Sequence, residues 1–352
     1  MFLKKVLFRV DAFLEIGTGH FYRCLTIAEK LQENKIEVTF VGCLDSIHLK
    51  NKLKNKNIKF YPIIIGKEIR ESNKNEYKPY TKKIQEKDAQ QTFNLNNDFY
   101  CLIIVDHYKL DYIWEKNIRK KSKRLMVIDD LSNRYHNCDL LLDQTFKKKH
   151  NSYKHLVNED CEILIGEKYF LLRDEFISAK KKYKKSLPSK VDVLVSLGGG
   201  DTKSHTFEVC KEIEKLSFIN KCNVVLGPLD TSKKNLFLEL FDKDKFNLMS
   251  TTDEMGLLLA KSNIVIGASG LSTWERLFIG IPSFQLIVSD NQEKVAELLD
   301  KKKYIKLIKD ISFLNVEIKN WYFKKEKFKN FNYIDGLGLT KVVKKIFSLN
   351  YL

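Results

Sequence analysis

No stretch of this 352-residue sequence approaches the roughly 20 consecutive apolar positions that a bilayer span requires. A secretory leader is not indicated either. The opening MFLKKVLFRV places two lysines inside a short apolar stretch, with no small-residue cleavage site after it, and reads as a first β-strand. The seven cysteines (Cys24, Cys43, Cys101, Cys138, Cys161, Cys210 and Cys222) are odd in number and widely scattered. None stands in C-x-x-C, so neither a zinc site nor a disulfide framework is signalled, and a cytoplasmic location is expected. No glycine loop ends in G-K-[ST], which excludes a Walker A phosphate loop, and no serine or cysteine sits in a nucleophile elbow.

Apolar residues make up 43% of the chain, enough for each half to bury a core and to exclude wholesale disorder. The formal charge of +17 comes from lysines dispersed along the chain, as at Lys147 to Lys149, Lys180 to Lys182 and Lys301 to Lys303. A nucleic-acid reader concentrates arginines and aromatics on one element. The lysines therefore read as solvated faces, and no nucleic-acid partner is expected. A nucleotide or another anionic ligand stays open.

Strand and helix signals alternate twice. In the first half, residues 6–10, 37–41, 102–105, 125–128 and 140–142 form apolar runs, and residues 21–34 carry apolar positions at helical spacing. Continuous apolar strands separated by helices imply a parallel sheet covered on both faces. Residues 66–98 form a polar excursion with some helix. In the second half, strands are expected at 191–196, 223–226, 263–266 and 282–288, and helices at 204–216 and 273–279. The fold class is α/β: two Rossmann-like, doubly wound domains, with a ligand cleft expected between the carboxyl ends of their sheets. The boundaries read as 1–178 for the first domain, a lysine-rich linker at 179–190, and 191–352 for the second.

Two loops carry the chemistry. After the first strand, Asp11 leads to Gly17-Thr18-Gly19-His20, which opens a helix. The glycines permit a sharp turn and close approach to a ligand. His20 falls in the first helical turn, where the macrodipole disfavours an imidazolium and favours the neutral ring a general base needs. Arg23, one turn on, can offer charge to a phosphate or fix a carboxylate. A plain glycine turn with a capping histidine fits the same residues, and Tyr22 stands where dinucleotide binding needs a third glycine.

In the second half, the strand ending at Ile266 runs into Gly267-Ala268-Ser269-Gly270-Leu271-Ser272-Thr273 and then a helix. Small residues followed by unpaired helix N–H groups suit a diphosphate, with hydroxyls from Ser269, Ser272 and Thr273 as further donors. Glu275, in the first turn, can accept two hydrogen bonds from a ribose diol. Gly198-Gly199-Gly200-Asp201 ends the first strand of this half and can close on the same phosphates; either loop can equally be a tight βα turn. Asp106-His107-Tyr108 ends the strongest strand of the first half, where such sheets collect ligand contacts, or forms a buried Asp–His pair. Asp129-Asp130 is expected to cap a helix rather than bind metal. Asp290-Asn291-Gln292 can face sugar hydroxyls or provide an N-cap.

In order, the blocks RVD-x5-GTGHFYR, VDHYKLDYIWE, VIDDLSNRYHNCDLLLDQ, YFLLRDEF, VLVSLGGGD, IGASGLSTWERLFIGIP, SDNQ and DGLGLTKVV resemble a family across nearly the whole chain. The family is that of the UDP-2,4-diacetamido-2,4,6-trideoxy-β-L-altropyranose hydrolases of pseudaminic acid synthesis. The resemblance implies a GT-B fold and an inverting, metal-independent cleavage between C1 and the UDP oxygen, without a cofactor. It implies His20 as the catalytic residue that activates water. Gly17, Gly19, Arg23, Tyr108 and Asn291 would line the sugar site, and Gly199, Gly200, Gly270, Leu271, Ser272, Thr273 and Glu275 the UDP site.

Departures from the family pattern are Asp143-Gln144-Thr145-Phe146 for D-Q-N-Y, Arg173-Asp174-Glu175-Phe176 for R-P-E-F, and the triple glycine before Asp201. The GASGLST run also replaces G-A-G-S-T. Other expected activities are a GT-B glycosyltransferase with a UDP-amino-sugar donor and a non-catalytic nucleotide-sugar-binding module.

Overall fold

The computed structural model describes residues 4–64, 66, 78–184, 186–198, 205–227 and 234–348. The chain forms two compact units, Met1–Leu171 with Leu337–Leu352, and Leu172–Gly336.

In the first unit the order is β1 (Lys5–Val10), α1 (Gly19–Glu33), β2 (Glu37–Gly42), α2 (Ile47–Asn55), β3 (Lys59–Pro62), α3 (Lys82–Phe93), β4 (Tyr100–Asp106), α4 (Tyr112–Ile118), β5 (Ser122–Ile128), β6 (Leu140–Asp143) and β7 (Glu162–Ile165). The strands form one parallel sheet in the order β3-β2-β1-β4-β5-β6-β7. Alternate side chains of one strand enter different cores, which is why these runs lack polar alternation. Val6, Phe8 and Val10 of β1 join Leu102 and Ile104 of β4 on one face. Leu7, Ile103 and Val105 lie on the other. The strand order reverses between β1 and β4, and ligands of doubly wound sheets collect outside the carboxyl ends of such a pair.

The second unit contains α5 (Asp174–Lys182), β8 (Val191–Ser196), α6 (His205–Glu214), β9 (Ile219–Val225), α7 (Lys234–Leu240), β10 (Phe246–Met249), α8 (Met255–Lys261), β11 (Ile264–Ala268), α9 (Ser272–Ile279), β12 (Ser283–Leu286), α10 (Glu293–Lys301), β13 (Lys306–Leu307) and α11 (Leu314–Lys324). Its parallel sheet runs β10-β9-β8-β11-β12-β13, with the same reversal between β8 and β11.

Two boundaries differ from the expected ones. The final helix, α12 (Gly338–Ser348), returns to the first unit, where Leu339, Val342, Val343 and Ile346 enter the core beneath α1. The helix α5 belongs to the second unit although its last turn, Lys180 to Lys182, looked like linker. It buries Phe176 and Ala179, and Glu175 Oε2 accepts a hydrogen bond from the Gly256 amide at 2.9 Å. Composition marked the charge of this segment but not its buried face. Within the polar excursion, α3 is anchored by Asp88, which accepts from Arg9 Nε at 3.0 Å and from Trp114 Nε1 at 2.7 Å. Among the described residues, no helix is long and apolar enough to cross a membrane.

Candidate functional site

At the carboxyl ends of β1, β4 and β5, the first unit gathers a buried polar cluster. Gly17 adopts a φ of +74°, and a Cβ there would meet nothing within 4 Å, so this turn needs glycine for its backbone rather than for space. The turn delivers His20 and Arg23 to one face of α1. His20 does not cap the helix; its Nδ1 lies 2.5 Å from Asp106 Oδ1 at the end of β4. A carboxylate acceptor at Nδ1 favours the Nδ1–H tautomer, in which Nε2 is the ring's acceptor nitrogen; Arg23 Nη2 also lies 3.1 Å from Nδ1.

Arg23 is engaged by carboxylates, one of its two expected roles. Its Nη2 donates to Asp106 Oδ1 at 2.6 Å, its Nε donates to Asp106 Oδ2, and its Nη1 reaches Asp130 Oδ2 at 2.9 Å. Burial alone would raise the Asp106 pKa, but the charge of Arg23, followed by that of His20, holds it down at about 2. Tyr108 packs edge-on against the His20 ring, with centroids 4.4 Å apart. Burial, then the adjacent Asp130 charge, keeps its hydroxyl protonated far up the pH scale. His20, Arg23 and Tyr108 are therefore one assembly, with Gly17 in the turn that delivers it and Gly19 opening α1.

The D-H-Y block divides its labour. Asp106 serves His20, whereas His107 is a framework residue. The Lys109 amide donates to His107 Nδ1 at 3.0 Å, leaving Nε2 to meet Asp11 Oδ2 at 3.0 Å. Asp129 does not cap a helix as expected; it accepts from the Ser132 amide, Arg134 and the Tyr153 hydroxyl, closing a turn. Its neighbour Asp130 is the carboxylate that Arg23 and Tyr108 share. Sequence reasoning had singled out both strand ends without seeing these pairings, because adjacency of β1 with β4 and of β4 with β5 is set only in the sheet.

In the second unit, β11 ends in the glycine–serine loop before α9. The loop is tighter than expected. The amides of Thr273 and Trp274 donate to the carbonyls of Gly270 and Leu271, which narrows the loop's backbone donors to those ahead of Thr273. The Thr273 hydroxyl donates inward to Gln285 Oε1 at 3.0 Å, which ties it to the framework of the loop. Ser269 Oγ, by contrast, is buried with no hydrogen-bond partner among the described residues. Ser272 Oγ accepts from Arg276 Nη1 at 3.0 Å. The Gln292 side chain reaches this loop too: a Cβ on Gly270 would lie 3.6 Å from its Nε2. Glu275 Oε1 faces Arg173 Nη2 at 3.4 Å. Burial raises the Glu275 pKa, and the charge of Arg173 opposes that rise.

Gly199 and Gly200, with Asp201, lie outside the described residues, as does the side chain of Asn291. Among the described residues, no group of three or more His, Cys, Asp or Glu is placed to hold a metal ion. Sequence reasoning missed Arg276 and Gln285. The signal for Arg276 was an arginine at i+3 from Thr273, on the apolar side of a short helix.

The two units, each with its sheet reversing at the first strand, define a protein of the GT-B fold class. No family model matches the chain. Over 338 residues it is 26% identical to an uncharacterised protein of Methanocaldococcus jannaschii, covering 92% of this chain but spanning only 65% of that relative's length. Over 305 residues it is 27% identical to the UDP-2,4-diacetamido-2,4,6-trideoxy-beta-L-altropyranose hydrolase of Campylobacter jejuni, covering 85% of this chain and 97% of the hydrolase. The S. aureus MnaA structure with UDP shares the fold at a TM-score of 0.61 and 13% identity, covering 99% of this chain and 98% of that one. Other solved structures sharing the fold are UDP-GlcNAc 2-epimerases and glycosyltransferases.

Proposed function

We propose that the chain acts on a UDP-linked amino sugar and cleaves it with water, giving UDP and the free sugar. The reading is carried by one observation, the His20 imidazole held through Nδ1 against the buried Asp106 carboxylate. In the proposed step the water oxygen bonds to C1 as the bond from C1 to the diphosphate oxygen breaks. The bonding pair leaves with UDP, and the water's proton passes to His20 Nε2. Attack from the side opposite the leaving group inverts C1. Arg23 and Asp106 are positioning residues in this scheme, because they hold the ring and do not meet the reacting atoms.

The loop at Gly270, Leu271 and Ser272, with Ser269, is proposed to receive the diphosphate, and Glu275 the ribose. Gly199 and Gly200 would close on the same phosphates, and Tyr108 and Asn291 would face the sugar. Similarity to the Campylobacter hydrolase over nearly its whole length supports a 2,4-diacetamido-2,4,6-trideoxy sugar as substrate and water as acceptor.

Transfer to a second sugar is the other reading. A base that takes a proton from water takes one equally from an acceptor hydroxyl, and the fold is shared with glycosyltransferases. Incubating the purified chain in EDTA with a panel of UDP-diacetamido-sugars, with no acceptor present, separates the two. UDP and free sugar of inverted anomeric configuration are expected. UDP release only after an acceptor is added would establish transfer, and bound but intact substrate would leave a binding module. His20→Ala is expected to bind UDP normally and to lose turnover by about 10²- to 10⁴-fold, the scale of a general base. Near-normal turnover would remove His20 from the mechanism.

A further inference from the structure

Arg276 is 2% exposed, yet among the described residues no carboxylate forms an ion pair with it. Its guanidinium lies against the end of β11. Nη2 donates to the Ala268 carbonyl at 2.5 Å and to Thr273 Oγ1 at 3.2 Å, Nη1 donates to Ser272 Oγ at 3.0 Å, and Nε has no partner. All three acceptors are neutral. The loop is built around this group, since a Cβ on Gly267 would come 2.4 Å from Arg276 Nη1. Burial draws the Arg276 pKa down to about 10, partly offset by the charge of Glu275, so the group stays a cation at neutral pH.

An isolated buried charge is costly, and an apolar side chain of similar volume would pack there without that cost. The arrangement makes sense if the missing negative charge is supplied by a ligand. A second observation points the same way: Ser269 Oγ, in the same loop, is buried with no partner among the described residues. The hydrogen-bond directions assign a further role. Guanidinium groups only donate, so Ser272 Oγ must act as acceptor toward Arg276, and its own O–H is freed to donate away from the arginine. Thr273 Oγ1 also accepts from Arg276, but spends its proton on Gln285.

We infer that Arg276 is a buried positioning residue for a diphosphate-bearing ligand, acting as a fixed positive charge beneath the loop and committing the Ser272 hydroxyl to donation. The inference rests on the reading of this loop as the diphosphate site. It adds a residue that never touches the ligand and acts through Ser272.

Calorimetric titration of the full chain with UDP, UMP and uridine tests it. Wild type is expected to bind UDP far more tightly than uridine. Arg276→Gln should weaken UDP by about 10- to 100-fold, the scale of one charge-assisted hydrogen bond, while changing uridine by less than about twofold. Ser272→Ala should weaken UDP in the wild-type background and add little in the Arg276→Gln background, because the hydroxyl's direction depends on the arginine. Arg276→Lys, which keeps the charge, should lose less than Arg276→Gln and serves if the latter does not fold. Equal losses for UDP and uridine would make Arg276 a folding residue only, and undiminished UDP affinity would also overturn the inference. A wild-type chain that binds UDP no better than uridine would instead refute the diphosphate reading itself, and the inference with it.

Discussion

Buried arginines in the two units stand in opposite electrical circumstances. In the first unit Arg9 pairs with Asp11 and Asp88, Arg23 with Asp106 and Asp130, and Arg134 with Asp129. In the second, Arg276 is as deeply buried but bonded only to neutral oxygens among the described residues. A compensated network is complete as folded and holds a ring in one orientation, which suits a base. An uncompensated cation is complete only when an anion arrives, which suits a binding loop. On the proposed reading, the same residue type would mark a preorganised centre in one unit and a receptive one in the other.

The largest expected contrast is in stability when each cation is removed. Arg23→Met strands the buried Asp106 carboxylate and should destabilise the first unit by about 3–5 kcal/mol in urea unfolding. A loss under about 1 kcal/mol would mean that Asp106 is satisfied without Arg23, and the comparison would break. A smaller effect is expected from acid. Asp106 has a folded pKa of about 2 against an ordinary value of 3.8, so its contribution is present above pH 4 and lost as pH falls toward 2. That loss is about 2 kcal/mol. The Asp11 and Asp129 pKa values are lowered in the same direction; burial opposes this, but Arg9 and Arg134 respectively outweigh it.

Glu275 has the opposite sign: its raised pKa favours the folded state at low pH and turns unfavourable as pH rises through it. Hydrogen exchange at pH 3 against pH 7 should therefore show β1 and β4 losing protection before β8 and β11. Simultaneous loss in both sheets would mean that these carboxylates do not set acid stability. The smallest effect is expected at Arg276→Met without ligand, within about 1 kcal/mol of wild type, because removing an unpaired charge offsets the hydrogen bonds lost. A loss as large as that of Arg23→Met would place Arg276 with the compensated arginines.

The strands were legible because a parallel sheet buried on both faces writes itself as unbroken apolar runs, and the strand 191–196 agrees residue for residue with β8. The edge strands β3 and β7 were not, since Lys59 and Glu162 on them dilute the same signal. The glycines ahead of His20 and Ser272 also marked both loops, because close turns at strand ends require them.

Periodicity and turn residues are local properties, so two doubly wound α/β halves and their glycine loops were legible before any fold was known. The pairing of Asp106 with His20 and of Asp11 with His107, the return of α12 to the first unit, and the burial of Arg276 beneath the glycine–serine loop with no ion pair among the described residues came only from the folded chain. Each of these depends on which strands become neighbours and which atoms are left without partners. Those are properties of the folded chain, separated in sequence by 86 residues for His20 and Asp106.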